Sequence, residues 1–289
     1  TSRRPEAVLG LIAEDVHVPL YHLVLHVWQV LTGGGVGTAR FLSLGFYVAT
    51  IPMLYLLGRD TLGRGIGLFA ALLFSISPFM NWYGSEIRMY TMLTFLSVLS
   101  HWLFLKAYRG QATSGTWWGY LISAVAGIYT HYFFAFVLMT QAGFYVWKRR
   151  AFPAGANKRI LGSIAVAGVT LLPWIWFVVS QGKAGNSAPN LPEPDTVDFF
   201  STYADFFFGY QNDHLNAIIL SLWPLAVLLG FLALRRQRQR NPNATYFLLA
   251  ATVPIVAAFV VSVIFSPVFL ARYLIVSLPP LYLFIGWVL

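Results

Sequence analysis

The sequence predicts an all-α fold: a polytopic transmembrane helical bundle of about nine spans, with juxtamembrane amphipathic helices on its outer face. Three observations predict it. Hydrophobic residues make up 58% of the chain and charged residues 10%, with a mean hydropathy of +0.67, too apolar for a soluble domain around one core. The apolar runs after Phe41 are mostly 16 to 22 residues long and broken by short polar stretches, where a β-barrel would show shorter alternating segments. Cations and acids also segregate between alternate connecting segments, as they do when a chain threads a bilayer.

The elements follow in order. The opening TSRRPEAV has no apolar core behind its basic residues, so it does not read as a cleavable signal peptide. Residues 19–31 form an apolar segment that as a helix reaches only about 20 Å, short of the roughly 30 Å hydrocarbon layer. With His22 and His26 one turn apart, that segment reads as a helix lying on the outer surface. Spans are expected at 41–57, 65–83, 89–108, 117–129, 132–147, 160–180, 215–234, 246–265 and 273–289. The fourth and fifth are short, and a hairpin breaking near Thr130 and His131 keeps the basic loops at either end on one side. Residues 181–214 form a long outer loop. Its first part is rich in Pro, Gly and Asn and therefore irregular. Its second part places Phe199, Tyr203, Phe206, Phe207 and Tyr210 on one helical face, with Asp198, Thr202 and Asp205 opposite. The whole chain, 1–289, reads as a single transmembrane domain, with 1–40 an outer juxtamembrane segment.

With this parity the loops holding Arg59, Arg64, Lys106, Arg109, residues 148–150, Lys158, Arg159 and the RRQRQR run carry thirteen cations and one acid, Asp60. The positive-inside rule makes that face cytoplasmic. The other nine acids, Glu14, Asp15, Glu86, Glu193 and Asp205 among them, fall outside. The net charge of +9 is thus a topology signal, and a nucleic-acid partner has no basis in it. There is no cysteine, which excludes disulfides and thiolate metal sites. No expected span carries a buried acid and no inverted repeat is evident, which weighs against an ion-coupled transporter.

Four stretches carry a family resemblance: EDVHVPLYHLVLHVWQVLTGG, the loop SPFMNWYGSEIRMY, GIYTHYFFAFVLMTQ and ARYLIVSLPPLYL. Together the D-x-H-x-P-L-Y opening, the S-P-F-x-x-W-Y-x-x-E-x-R-M-Y loop and the late A-R-Y-L resemble bacterial glycosyltransferases of the GT-C superfamily. Within it they are most similar to protein O-mannosyltransferases and the lipid A aminoarabinose transferase, over nearly the whole chain from about Leu9. The resemblance implies a membrane enzyme moving a sugar from a polyprenyl-phosphate carrier to an acceptor outside the cytoplasm, with inversion. The family usually has Pro-Pro where this chain has Val18-Pro19. It also begins with one more transmembrane helix and an outer acidic motif, so the chain is expected to be truncated at its N-terminus or to rely on Asp15 alone.

That chemistry needs a carboxylate to accept the acceptor's proton and cationic or hydrogen-bonding groups to hold the departing phosphate. Asp15 is the candidate base and Glu14 the second choice, the alternative being a solvated cap of the following helix. His17 is placed to orient the carboxylate or touch phosphate. Arg88 and Arg272 are the candidate phosphate ligands, each at the outer start of a span where snorkelling is the competing explanation. Glu86 enters as a donor-binding residue and as an ion-pair partner of Arg88. His131 and Tyr132 in the outer hairpin turn, and Lys183 in the irregular loop, complete the expected donor site. A phosphate paired with arginine leaves without a metal, and the outer acids follow no ligand-loop spacing, so neither metal nor cofactor is expected. The expected partners are the polyprenyl-phosphate-linked sugar, an acceptor whose identity the sequence leaves open, and membrane lipids. A flippase of lipid-linked sugars and a noncatalytic membrane subunit are the readings from other classes.

Overall fold

The computed structural model describes residues 18–180, 191–210 and 241–289. Glu14, Asp15, His17, Lys183, Asp213, the span expected at 215–234 and the basic run at 235–240 lie outside the described residues. Among those described, all regular structure is helical. They group into two compact units: the described parts of Thr1–Thr50 and Gly84–Pro189 form the first, and those of Ile51–Tyr83 and Asn190–Leu289 the second.

The first unit opens with α1, Leu20–Thr32, thirteen residues as the apolar run requires. Gly33 stops it in the left-handed region (φ 86°), its N–H returning to the Gln29 carbonyl, a conformation that glycine adopts without a Cβ penalty. The Trp28 indole donates to the Thr38 carbonyl at 2.6 Å and ties α1 to the start of α2, Val36–Thr61, which runs on into the second unit. Then come α5, Tyr90–Tyr108, α6, Ser114–Thr130, α7, Phe134–Lys148, and α8, Ala156–Ser180. A Thr113–Thr116 capping box starts α6. The hairpin between α6 and α7 breaks at residues 131–133, where the sequence placed it. There a Cβ on Gly127 would sit 2.4 Å from the Phe134 ring, so the tight return needs glycine.

Polar side chains knit α5, α6 and α7. The Tyr120 hydroxyl donates to Gln141 at 2.8 Å, the Gln141 amide donates to Ser100 at 2.9 Å, and all three residues are buried. Such bonds hold helices together where lipid gives no hydrophobic drive between them. α5 is less apolar than a lipid-facing helix because Thr91, Thr94, Ser97, Ser100 and His101 are buried; Ser100 takes the Gln141 bond, and Thr94 and Ser97 bond the Tyr90 and Thr94 carbonyls of their own helix.

The second unit contains α3, Arg64–Ile76, and α4, Pro78–Ser85. It adds α9, Thr196–Phe208, α10, Pro242–Ile264, a 3₁₀ turn over Ala271–Ser277 and α11, Leu278–Val288. The end of α2 meets α3 through Gly58 and Gly67: a Cβ on Gly67 would lie 2.7 Å from the Arg59 nitrogen and the Tyr55 carbonyl. Pro78 cannot continue the α3 ladder, so the expected span 65–83 is bent by 58° at this break.

By length and apolarity α2, α8, α10 and Ala271–Val288 are fit to cross a membrane, and the bent α3–α4 pair makes a fifth. The nine-span expectation is therefore met only in part among the described residues. α6 and α7 are short, with 17 and 15 residues, and α5 carries several buried polar residues. A second difference concerns α9, which forms as expected with an Asp195–Asp198 capping box. Its polar stripe is only partly turned to water: Asp198 is exposed and Asp205 half-buried, whereas Thr202 is buried, its hydroxyl satisfied by the Asp198 carbonyl at 3.1 Å. A threonine that bonds its own helix behaves as a small apolar residue and is buried at little cost.

Candidate active site

In the first unit the expected site residues gather where α1, α2, the 86–89 bend and the 131–133 turn meet. Tyr21, the last residue of D-x-H-x-P-L-Y, is 1% exposed, and its hydroxyl lies 3.1 Å from that of Ser43 on α2. Ser43 in turn donates to the Arg88 carbonyl at 3.5 Å. The order of donors follows: Tyr21 gives its proton to Ser43, and Ser43 gives its own to Arg88. Burial pushes the Tyr21 phenol above its ordinary value, opposed by the Ser43 bond and the Arg88 charge. The guanidinium is near enough to be felt at that hydroxyl, yet Arg88 itself is exposed.

The bend is held from below as well. A Cβ on Gly84 would stand 3.3 Å from the Tyr47 ring, so the chain passes close over α2 as it leaves α4. Glu86 is half-buried in the bend, and Arg88 takes part in no ion pair among the described residues. The Arg88 backbone is thus fixed through Ser43 while its side chain remains available.

Two residues further on, the Tyr90 ring lies 6.2 Å from that of His131. His131 is 8% exposed and caps α6. Its Nδ1 accepts the Phe133 N–H at 3.2 Å, which puts the proton of the neutral ring on Nε2 and makes that nitrogen a donor. Tyr132 is half-buried and its hydroxyl accepts from the Trp174 indole at 3.2 Å on α8. Burial raises its phenol pKa, with the Trp174 bond opposing.

The second unit holds Arg272 at the start of its 3₁₀ turn, half-buried, its guanidinium 5.4 Å from the Tyr273 ring centre. It also holds one of the outer acids that the sequence assigned to a solvated face. Asp205, on the half-buried side of α9, has its carboxyl pushed up to about 7 by desolvation. The C-terminal end of α9 is anchored at the Phe206 carbonyl, which accepts from Tyr282 at 2.6 Å and Ser77 at 3.4 Å. That carbonyl is one of the four a helix leaves unsatisfied at its end. The Phe79 ring packs on Phe206 at 5.3 Å, and Tyr83 shares a hydrogen bond with Tyr210.

The structure therefore brings Arg88 together with Tyr21 and Ser43, and Tyr90 with His131. It describes Arg272 by itself and leaves Asp15, Glu14, His17 and Lys183 outside the described residues. Tyr21 and Ser43 were missed by sequence reasoning. Tyr21 closes a motif that attracted attention for its acid and histidine; Ser43 has no local signal at all. Among the described residues no group of three or more His, Asp or Glu side chains is arranged to hold a metal ion.

What this arrangement presents is one exposed guanidinium on an anchored backbone and, against the Tyr90 ring two residues further along the chain, an imidazole whose Nδ1 is an acceptor. Residues 16–177 match the family described as dolichyl-phosphate-mannose-protein mannosyltransferase. The match starts one residue after Asp15 and includes Tyr21, Ser43, Glu86, Arg88, His131 and Tyr132, but not Arg272. No curated protein and no solved structure matched. Since the matched stretch is more than half of the chain, and its helices are apolar enough to span a membrane, the protein belongs to the dolichyl-phosphate-mannose-protein mannosyltransferase family and is a membrane glycosyltransferase of the mannosyltransferase type.

Proposed function

We propose that the protein transfers a sugar from a polyprenyl-phosphate carrier to an acceptor hydroxyl on the extracytoplasmic face of the cell membrane, with inversion at the anomeric carbon. The acceptor oxygen loses its proton to a carboxylate, Asp15 in this reading, as it forms the new bond to C1. The bond from C1 to the phosphate oxygen breaks, and the carrier departs as a phosphate monoester. The donor is a phosphodiester, so negative charge grows on the leaving group in the transition state. Preorganised cationic donors act on that growing charge more than on the ground state.

One observation carries the assignment of Arg88 to the leaving phosphate, namely the Tyr21–Ser43–Arg88 chain of hydroxyls. It ties the backbone of the arginine to Tyr21, the residue that closes the D-x-H-x-P-L-Y motif in sequence. His131, with Nε2 as its donor, is the second phosphate or sugar ligand, and Tyr132 orients the turn that carries it. Arg272 is proposed as a further phosphate ligand, on the A-R-Y-L resemblance. Glu14 and His17 remain the secondary acid and the orienting histidine, and Lys183 an outer-loop contact.

The test is single-turnover transfer of labelled mannose from polyprenyl-phosphate mannose by the purified protein, with donor affinity measured separately. Asp15→Asn should lower turnover roughly 100-fold and leave donor binding nearly unchanged, the effect of removing a positioned proton acceptor. Glu14→Gln should cost little. Wild-type turnover in Asp15→Asn removes Asp15 as the base. Donor movement across liposomes without any transfer would assign the protein to lipid-linked sugar transport instead.

A further inference from the structure

At the opposite end of α6 from His131, about 24 Å away by helical rise, a cavity of about 360 Å³ opens between the first turns of α6 and α8. It does not belong to the site above. From α6 it takes Ser114, Trp117 and Trp118; from α8 it takes Lys158, Arg159 and Ser163. Both helices begin at this end, so both direct the positive end of their backbone dipoles toward it.

Its charge is uncompensated. No acid occurs between Glu86 and Glu193, and neither Lys158 nor Arg159 takes part in an ion pair among the described residues. Arg159 lies 5.3 Å above the Trp117 ring, and the same end of the unit carries Lys106 over Trp102 at 3.7 Å and Lys148 over Trp147 at 4.0 Å. Tryptophan and cationic side chains together at a helix end suit the headgroup level of a bilayer. Nothing stands within 4 Å of where a Gly162 Cβ would be, so that glycine keeps the cavity open.

The cavity also continues into an apolar rail. Val166 on α8 also lines it, and further along that helix Val169, Leu172 and Trp176 are 62%, 57% and 72% exposed; α8 is apolar enough to span a membrane. A free anion would leave that rail unused, whereas an amphiphile with an anionic head and a hydrocarbon tail uses both. We propose that this cavity is a binding site for an anionic phospholipid, its phosphodiester held by Lys158, Arg159 and the Ser114 and Ser163 hydroxyls, and its acyl chain lying along α8. Basic pockets between membrane helices recognise lipid head groups in this way. The inference does not depend on the transfer reaction or on which residue is its base.

Native mass spectrometry of the purified protein, titrated with phosphatidylglycerol or phosphatidylcholine, tests it. Wild type should retain phosphatidylglycerol in preference to phosphatidylcholine. A cation near an anionic headgroup contributes a factor of about five, so Lys158→Gln with Arg159→Gln should weaken phosphatidylglycerol binding about 25-fold. Both residues are exposed, so the fold should tolerate the change. Gly162→Leu, which keeps the charges and fills the cavity, should abolish the preference as well. Arg149→Gln with Arg150→Gln, in the neighbouring basic turn, should leave it intact. The proposal is overturned if the loop pair costs as much as the cavity pair, if neither cavity variant alters binding, or if phosphatidylglycerol is held no better than phosphatidylcholine. Displacement of phosphatidylglycerol from the cavity by equimolar polyprenyl phosphate would also overturn it, by making this a carrier site.

Discussion

Replacing Ser43 tests the scaffold beneath Arg88, because this hydroxyl is the one member of the chain with two partners. Tyr21 and Ser43 are 1% and 0% exposed, so water cannot take over a lost bond. Tyr21→Phe removes one buried donor and leaves Ser43 free to keep the Arg88 carbonyl, at a cost of about 0.5–1.5 kcal/mol. Ser43→Ala strands the Tyr21 hydroxyl as well as the Arg88 carbonyl, and a stranded buried hydroxyl costs about 1–3 kcal/mol by itself. The double variant has no hydroxyl left to strand and loses only the long contact to Arg88. It should therefore be more stable than Ser43→Ala alone, with a coupling of about 1–2 kcal/mol. For a chain of this size 1 kcal/mol corresponds to about 2–4 °C in Tm, so Ser43→Ala should fall by roughly 4–8 °C and the double variant should recover part of it. Thermal unfolding in one detergent, followed by tryptophan fluorescence, measures all four corners of the cycle. Additive losses, within about 0.5 kcal/mol, would show that the hydroxyls do not act as a chain and do not position Arg88.

Asp205 offers a pH dependence of unusual sign. Its folded pKa of about 7 lies above the ordinary carboxylate value, so folding favours the protonated form and stability falls as pH rises from about 4 to about 7. Asp205→Asn should raise Tm at pH 8 and leave it unchanged at pH 4; equal Tm at both would refute the burial of this carboxylate. At the α2–α3 hairpin, Gly67→Ala should be destabilising and Gly67→Val more so, by about 1–3 kcal/mol or above, because the obstructing atoms are backbone. Gly65→Ala, with nothing within 4 Å, should be tolerated in the same unfolding measurement. For the proposed phosphate ligands, Arg272→Ala should weaken donor binding more than Arg272→Lys, since a point charge still holds phosphate though it loses the planar fork; equal donor affinity in wild type and Arg272→Ala would remove Arg272 from the site.

Much of this was legible in the sequence, for reasons that differ by feature. The helical class follows from the length of the apolar runs, and the α6–α7 break from a polar pair, Thr130 and His131, inside an otherwise apolar stretch. The number of spans was less legible because apolarity alone cannot tell a helix that faces lipid from one that faces other helices. In α5 Ser100 only makes sense once Gln141 is seen across the interface, while Thr94 and Ser97 are satisfied by carbonyls of their own helix. The burial of Thr202 in α9 was hidden for a related reason. Periodicity assigns Thr202 to the polar face, whereas its hydroxyl bonds to the Asp198 carbonyl within the helix and needs no water. In the site, Arg88 and His131 stood out because a charge or imidazole at a span end requires explanation. Ser43, 45 residues from Arg88 in sequence, is an ordinary helix residue until the fold brings them together.

Those hydroxyls indicate how such a site reconciles two requirements. A phosphate ligand must be solvated before the donor arrives, since an unpaired guanidinium buried in an apolar site carries a large desolvation cost. It must also be fixed in position, since a mobile side chain loses conformational freedom on binding. Arg88 meets the first by exposing its side chain and the second through its backbone, whose carbonyl is held by Ser43 and whose near neighbour in the chain, Tyr90, is buried against His131. The anchoring is neutral and hydroxyl-based, so it does not neutralise the cation as a carboxylate partner would. Glu86 is only two residues away, yet Arg88 enters no ion pair among the described residues, so its positive charge is not neutralised there and can serve the role proposed for it at the departing phosphate.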